Sequence, residues 1–129
     1  MTVTTQIDPD GMPRSPAFAQ GVVHYGGPTV WVGGQNGIDA DGVLLEGFAE
    51  QCAQAFRNVL TVLDAAGSGP EHVLKLTIQL HADHDAAAGF GAAMPVWGRH
   101  RTAISVLKVA GFARDGVLVE VDAVAAIPA

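Results

Sequence analysis

Cysteine and basic side chains are scarce in this chain: its 129 residues hold one Cys and seven Lys plus Arg against thirteen Asp plus Glu, a formal charge of -6. A single thiol, Cys52, cannot close an intrachain disulfide, and no basic start followed by an apolar run marks a secretory leader, so a reducing cytoplasm is the expected compartment. No apolar run approaches the roughly 20 residues that a bilayer-spanning helix requires, so no membrane partner is expected. Phosphate binding is built from Lys and Arg, and so few of them on an acidic chain argue against a nucleic-acid partner. Also missing are an internal repeat, a nucleotide-binding glycine loop, a nucleophile elbow and any low-complexity tract. A chain of this length is expected to be one domain, able to bury roughly two-thirds of its unfolded surface without staples.

What is present is clearest in residues 117–127, VLVEVDAVAAI. Period-two alternation puts Val117, Val119, Val121, Ala123, Ala125 and Ile127 on one face, and Glu120 and Asp122 on the other between Leu118 and Val124. Carboxylates among apolar neighbours need solvent, partners or a job. Earlier in the chain, residues 1–16 have no period and read as an arm or loop. Residues 17–25 read as a strand, Gly26-Gly27-Pro28 as a turn, and TVWVGGQ as a second strand completing a hairpin. Its closing Gly33-Gly34 signals a bulge or the close approach of a ligand or backbone.

Phe48, Cys52, Phe56, Val59 and Leu63 recur at helical steps and predict a helix over 48–66, stopped by Gly67. Cys52 lies on that stripe and reads as a small buried hydrophobe; Gln54 and Asn58 read as polar flank residues. In VLKLTIQLH, Leu74, Leu76, Ile78 and Leu80 alternate with Lys75, Thr77, Gln79 and His81, which predicts a strand apolar on one side and polar on the other. The run His81, Asp83, His84, Asp85 has zinc-compatible residue types but the spacing of no helical zinc motif, and either Asp83 or Asp85 is a ready N-cap for a helix beginning just after it. The segment 85–98 carries Phe90, Met94 and Trp97 at helical spacing, with Gly89, Gly91 and Pro95 weakening the helix and Pro95 expected to end or kink it near Met94. Arg99-His100-Arg101 is the one dense basic cluster, and a strand over 104–109 and a loop over 111–116 complete the chain. The order β-β-α-β-α-β-β, with two helices on one face of a mixed sheet, defines an α+β domain. Its semi-polar second face predicts subunits packed sheet to sheet.

Four strings in order resemble the RidA/YjgF family of enamine/imine deaminases, from about residue 17 to 127. Phe18-Ala19-Gln20 is similar to that family's Y-S-Q/H, and Val32-Gly33-Gly34-Gln35 to its V-S-G-Q. Gln51, Gln54, Ala55, Asn58, Val59, Val62, Leu63, Ala66 and Gly67 fall on its Q-t-x-Q-a-l-x-N-l-x-x-v-L-x-x-a-G helix, and residues 119–125 on its closing V-E-I-E-A-I-A. The resemblance implies a chorismate-mutase-like fold, a homotrimer with no cofactor or metal, and clefts between subunits for a small-molecule ligand. A family arginine grips the substrate carboxylate while a glutamate positions the water that releases ammonia from a 2-imino or 2-enamine acid. Glu120 carries that role directly, with Phe18, Gly33, Gly34 and Gln35 lining the cleft. For the arginine two alignments stand. The gapless one, preferred for its downstream match, puts Ile104 in the arginine's place; the gapped one puts Arg101 there. Phe18 also lacks the usual tyrosine's hydroxyl. Weak or altered deamination, or a binding protein without turnover, is expected from these departures, and an RNA-degrading role is disfavoured by the acidic charge.

Overall fold

Gly26 and Gly27 both adopt positive φ (107° and 96°) and turn the chain into Pro28, but the strands on either side do not pair with each other. In the computed structural model, which describes residues 3–129, β1 (Thr4–Ile7) and β2 (Gly21–His24) form a separate antiparallel pair. β3 (Thr29–Gln35) instead pairs with β6 (Val119–Ala126), a ladder that already begins where the Pro28 carbonyl accepts from the Ile127 amide. The expected hairpin is therefore absent, because β3 must lie beside the long apolar β6 to bring Val30 and Val32 under the first helix. The stretch read as arm or loop supplies β1, whose TTQI has too weak an alternation to announce a strand.

Helix α1 (Phe48–Ala65) follows the predicted stripe, with Cys52, Phe56, Val59 and Leu63 all buried. β4 (Val73–His81), α2 (Ala86–Trp97) and β5 (Ala103–Val109) make a crossover that lays β5 parallel to β4. The main sheet has the order β3-β6-β4-β5, mixed as expected, with β6 antiparallel to both β3 and β4. Val119, Val121, Ala123 and Ala125 line the covered face with Leu76 and Leu80, and the two helices pack on it and on each other. A register shift between Val73 and Lys75 puts Val73 rather than Leu74 in the core.

α2 departs from its prediction in two ways. Asp85 caps it, its carboxylate accepting from the Ala88 amide at 3.1 Å, but the helix continues through Pro95 to Trp97, closed by the Gly98 amide on the Met94 carbonyl. Its inner stripe is Gly89, Ala93 and Trp97, while Phe90 points outward and is 52% exposed. Small residues pack here because Gly89 approaches Phe48 so closely that a methyl group would lie 3.1 Å from the ring. Among the described residues, no helix is long and apolar enough to cross a membrane.

Candidate functional site

The bulge in β3 exists to let a carboxylate in. Register shifts between Val32 and Gln35, and at that step Gly34 faces Glu120 so closely that a Cβ would sit 2.6 Å from its Cδ. A side chain at 34 would push the carboxylate out of this seat. The Asn36 amide donates to Glu120 Oε1 (3.3 Å) and to the Val119 carbonyl (3.2 Å). Asn36 is itself held from α1: Asn58 donates to the Asn36 and Ile38 carbonyls, and its Oδ1 accepts from Gln54 at 2.8 Å. Gln54 and Asn58, read as flank residues, thus fix the loop that aims at Glu120. Gln51, fully buried, ties the same end of the helix to the Leu45, Gly116 and Leu118 backbone. Gly33 is open to solvent, and the Gln35 amide folds back onto the Gly33 carbonyl. Two residues along β6, burial pushes the Asp122 carboxyl above its usual range, and Glu120 adds to the effect. Two neighbouring acids on one strand face are poised to accept hydrogen bonds, from water or from a ligand's N–H.

A second group forms around Arg101, just ahead of β5. Its Nε donates to the Ser15 carbonyl, Nη1 to Gln6, and Nη2 to the Phe18 carbonyl and to Asp8, the last at 2.8 Å. Arg101 therefore meets the backbone of Phe18. Yet the guanidinium already holds a carboxylate. Its hydrogen bond keeps the Asp8 carboxyl below the ordinary range, helped by the nearby charge of Arg14.

Ile104 joins neither group. It pairs across from Leu76 on the covered face of the sheet, whereas Glu120 pairs with Gln79 on the open face. An arginine at 104 would enter the apolar layer beneath α2, so the gapless alignment does not bring residue 104 to Glu120. The two groups also stand apart. Arg101 precedes Ala103, which is level with Lys75, and Glu120 is level with Gln79; six residues of extended chain put them ~20 Å apart along the sheet.

The polar run after β4 is structural in its contacts. His84 stacks on Phe48, ring centroids 4.5 Å apart, Asp85 caps α2, and His81 lies 3.6 Å from an exposed Asp83. Among the described residues, no three His, Cys, Asp or Glu side chains converge as a metal site would need. Asn36 and Asp8 touch the candidate residues Glu120 and Arg101, and the sequence does not single them out. Asn36 directly follows the glycine string, which is a usable signal; Asp8 lies in a stretch without period and gives none.

A four-stranded mixed sheet under two helices, with a glycine bulge seating a glutamate, defines the α+β class built like the RidA/YjgF proteins. Residues 12–127 match the family Endoribonuclease L-PSP, and the chain belongs to that family, the RidA/YjgF family of the sequence strings. Its fold is similar to that of a Yersinia pestis protein of unknown function from the conserved Rid family, with a TM-score of 0.85 at 27% identity over 97% of this chain and 99% of that one. RidA from the Antarctic bacterium Psychrobacter is also similar, with a TM-score of 0.71 at 27% identity over 95% and 99% of the two chains. A RutC family protein of Aquifex aeolicus is 42% identical over 52 residues, which span 40% of this chain and 42% of that protein. The family expected from the four strings and the α+β architecture are both borne out.

Proposed function

We propose that the protein is a RidA-like handler of small reactive metabolites, working in a reducing cytoplasm, whose ligand cleft lies between subunits of a homotrimer. The cleft combines Glu120, Asn36 and the Gly33–Gln35 backbone of one chain with Arg101 and Phe18 of the next. The observation that carries this reading is the seat of Glu120: a bulge, a glycine and an amide relay from α1 all serve to hold one carboxylate at a fixed place on an open sheet face. A carboxylate so held can orient a water for attack on the C=N carbon of a 2-imino acid, leaving a 2-keto acid and ammonia. Arg101 is the cation for the substrate carboxylate, since it shares Phe18 with the family pattern and Ile104 faces the wrong way. No cofactor enters this scheme.

Turnover is held low because Asp8 occupies the guanidinium that the substrate needs. Charge-assisted contacts of this kind contribute roughly 1.5–3 kcal/mol, and a substrate must exchange one for another. The test generates a 2-imino acid with an amino-acid oxidase and follows hydrolysis beyond the spontaneous rate. Wild type is expected to be slow, Asp8→Asn faster, and Arg101→Ala or Glu120→Gln inactive in the Asp8→Asn background. If Asp8→Asn binds 2-keto acids yet hydrolyses nothing, the protein is a binder without turnover. Activity that survives Glu120→Gln with the fold intact would sink the catalytic reading.

A further inference from the structure

Beneath α2 lies a cavity of about 360 Å³ that no part of the proposed cleft uses. Its floor is the covered face of β4 and β5, where Ile78 and Ile104 are only half-buried. Its roof is the inner side of α2, where Ala93 is too small to fill the gap and Phe90 stands at the rim. Cys52 contributes a wall, and burial pushes its thiol up to about 11, so the sulfur is neutral and behaves as an apolar surface. The interior offers a ligand almost nothing to hydrogen-bond with. The one permanently charged side chain among the lining residues is Arg99, beside His100 past the end of α2.

Arg99 is the cation with an unspent charge there. Among the described residues, no carboxylate lies within ion-pair distance of it, whereas Arg101 is taken by Asp8, and Glu71 across the adjoining depression lies 3.4 Å from His72. An apolar chamber with a cation at its door matches a molecule with an apolar body and an anionic head. Its volume lies at the small end of the roughly 300–1,000 Å³ typical of ligand pockets and suits a short-chain molecule.

We propose that this cavity is a second binding site, distinct from the Glu120 cleft, for a small amphipathic carboxylate whose chain lies against Ile78, Ile104 and Trp97 and whose head meets Arg99. Decanoate, which has the right size, is the probe, with decanol as its uncharged counterpart, both titrated calorimetrically into the full-length oligomer below the micellar range. Saturable binding of decanoate is expected, tighter than that of decanol. Arg99→Ala should weaken decanoate roughly fivefold, the scale of an exposed ion pair, and leave decanol unchanged. Val106→Phe, at an exposed edge position, and Ile104→Phe, at the floor, should each abolish binding of both probes while circular dichroism and Tm report a folded chain. Glu120→Gln should leave decanoate binding untouched. The proposal is overturned if wild type shows no saturable heat, which is also the result if a neighbouring copy closes the cavity. Binding retained in both filling variants, an equal effect of Arg99→Ala on the two probes, or loss of decanoate binding in Glu120→Gln would overturn it as well.

Discussion

Adding one methyl group at residue 34 displaces the end of Glu120, which can swing aside on its flexible stem, whereas adding one at Gly37 meets the α1 backbone itself at 2.4 Å from the Cα of Gln51. The two alanine variants should therefore fail differently. Gly37→Ala is expected to cost on the order of 1–3 kcal/mol of stability in urea unfolding, as overpacking does. Gly34→Ala should barely move Tm yet depress ligand chemistry, because the carboxylate leaves its hydrogen bond with Asn36. Acid titration separates two more residues. The Asp122 carboxyl is raised above 3.8 in the fold, so the folded chain binds the extra proton and stability is lost as pH rises through that raised value. Asp122→Asn should therefore be more stable than wild type at pH 7, with the advantage vanishing as pH falls towards 3.8. Asp8 has the opposite sign. Its carboxyl is lowered by Arg101, so its contribution is present above 3.8 and lost as pH falls through the lowered value. Gly33-Gly34 reads from sequence as a bulge or a close approach, and it is both; what approaches is not legible there, because the contact joins residues 86 positions apart.

The helix α2 shows what periodicity can and cannot deliver. Its existence is legible from Phe90, Met94 and Trp97, but its buried stripe runs through Gly89, Ala93 and Trp97. In a segment built largely of Ala and Gly, side-chain volume gives little contrast between faces, so a pattern of large residues places Phe90 inward although it lies outward. Gly91 has open space where a Cβ would go, and Gly91→Ala should stabilise the chain by roughly 0.4–1 kcal/mol. Gly89→Ala should not share that gain, since its methyl group would press on Phe48. Chemical denaturation of the pair reads the difference directly. β1 is hidden in the sequence for a related reason, its four residues alternating too weakly, and with it the partner that draws β2 away from β3. The strands with strong alternation, β4 and β6, are legible to within a few residues of their ends.

At the scale of the molecule, the open face of the sheet carries apolar side chains that its own helices do not cover. Trp31 there is 75% exposed beside the half-buried Val124, and Leu107, level with Glu120 further along the sheet, is 45% exposed. Exposed apolar side chains on a face that also carries Lys75, Gln79 and Glu120 suit burial against other copies of the chain, and light scattering at micromolar concentration is expected to give three chains per particle. Shared clefts make a sharper prediction. Inactive Arg101→Ala and Glu120→Gln chains, each in the Asp8→Asn background and reassembled in equal amounts, should regain about a quarter of the parental activity, the fraction of interfaces that pair two intact residues in a cyclic trimer. No recovery after confirmed exchange would mean that the two groups do not serve one site. The strings that reveal the family cannot reveal this separation, because the distance between Arg101 and Glu120 depends on how β4, β5 and β6 are registered.

The clasp between Asp8 and Arg101 has a consequence for how the chain is made. Its two halves lie 93 positions apart, so at ribosomal speeds of about 5–20 residues per second the aspartate waits roughly 5–20 s for its arginine to appear. β1 and β2 can zip together early, but the contacts that tie them to the loop ahead of β5 wait until that loop leaves the exit tunnel. The guanidinium, by contrast, emerges to find Asp8, Gln6, Ser15 and Phe18 already waiting. A metabolite competing for that arginine therefore meets a rival that is tethered in place from the moment the cation exists.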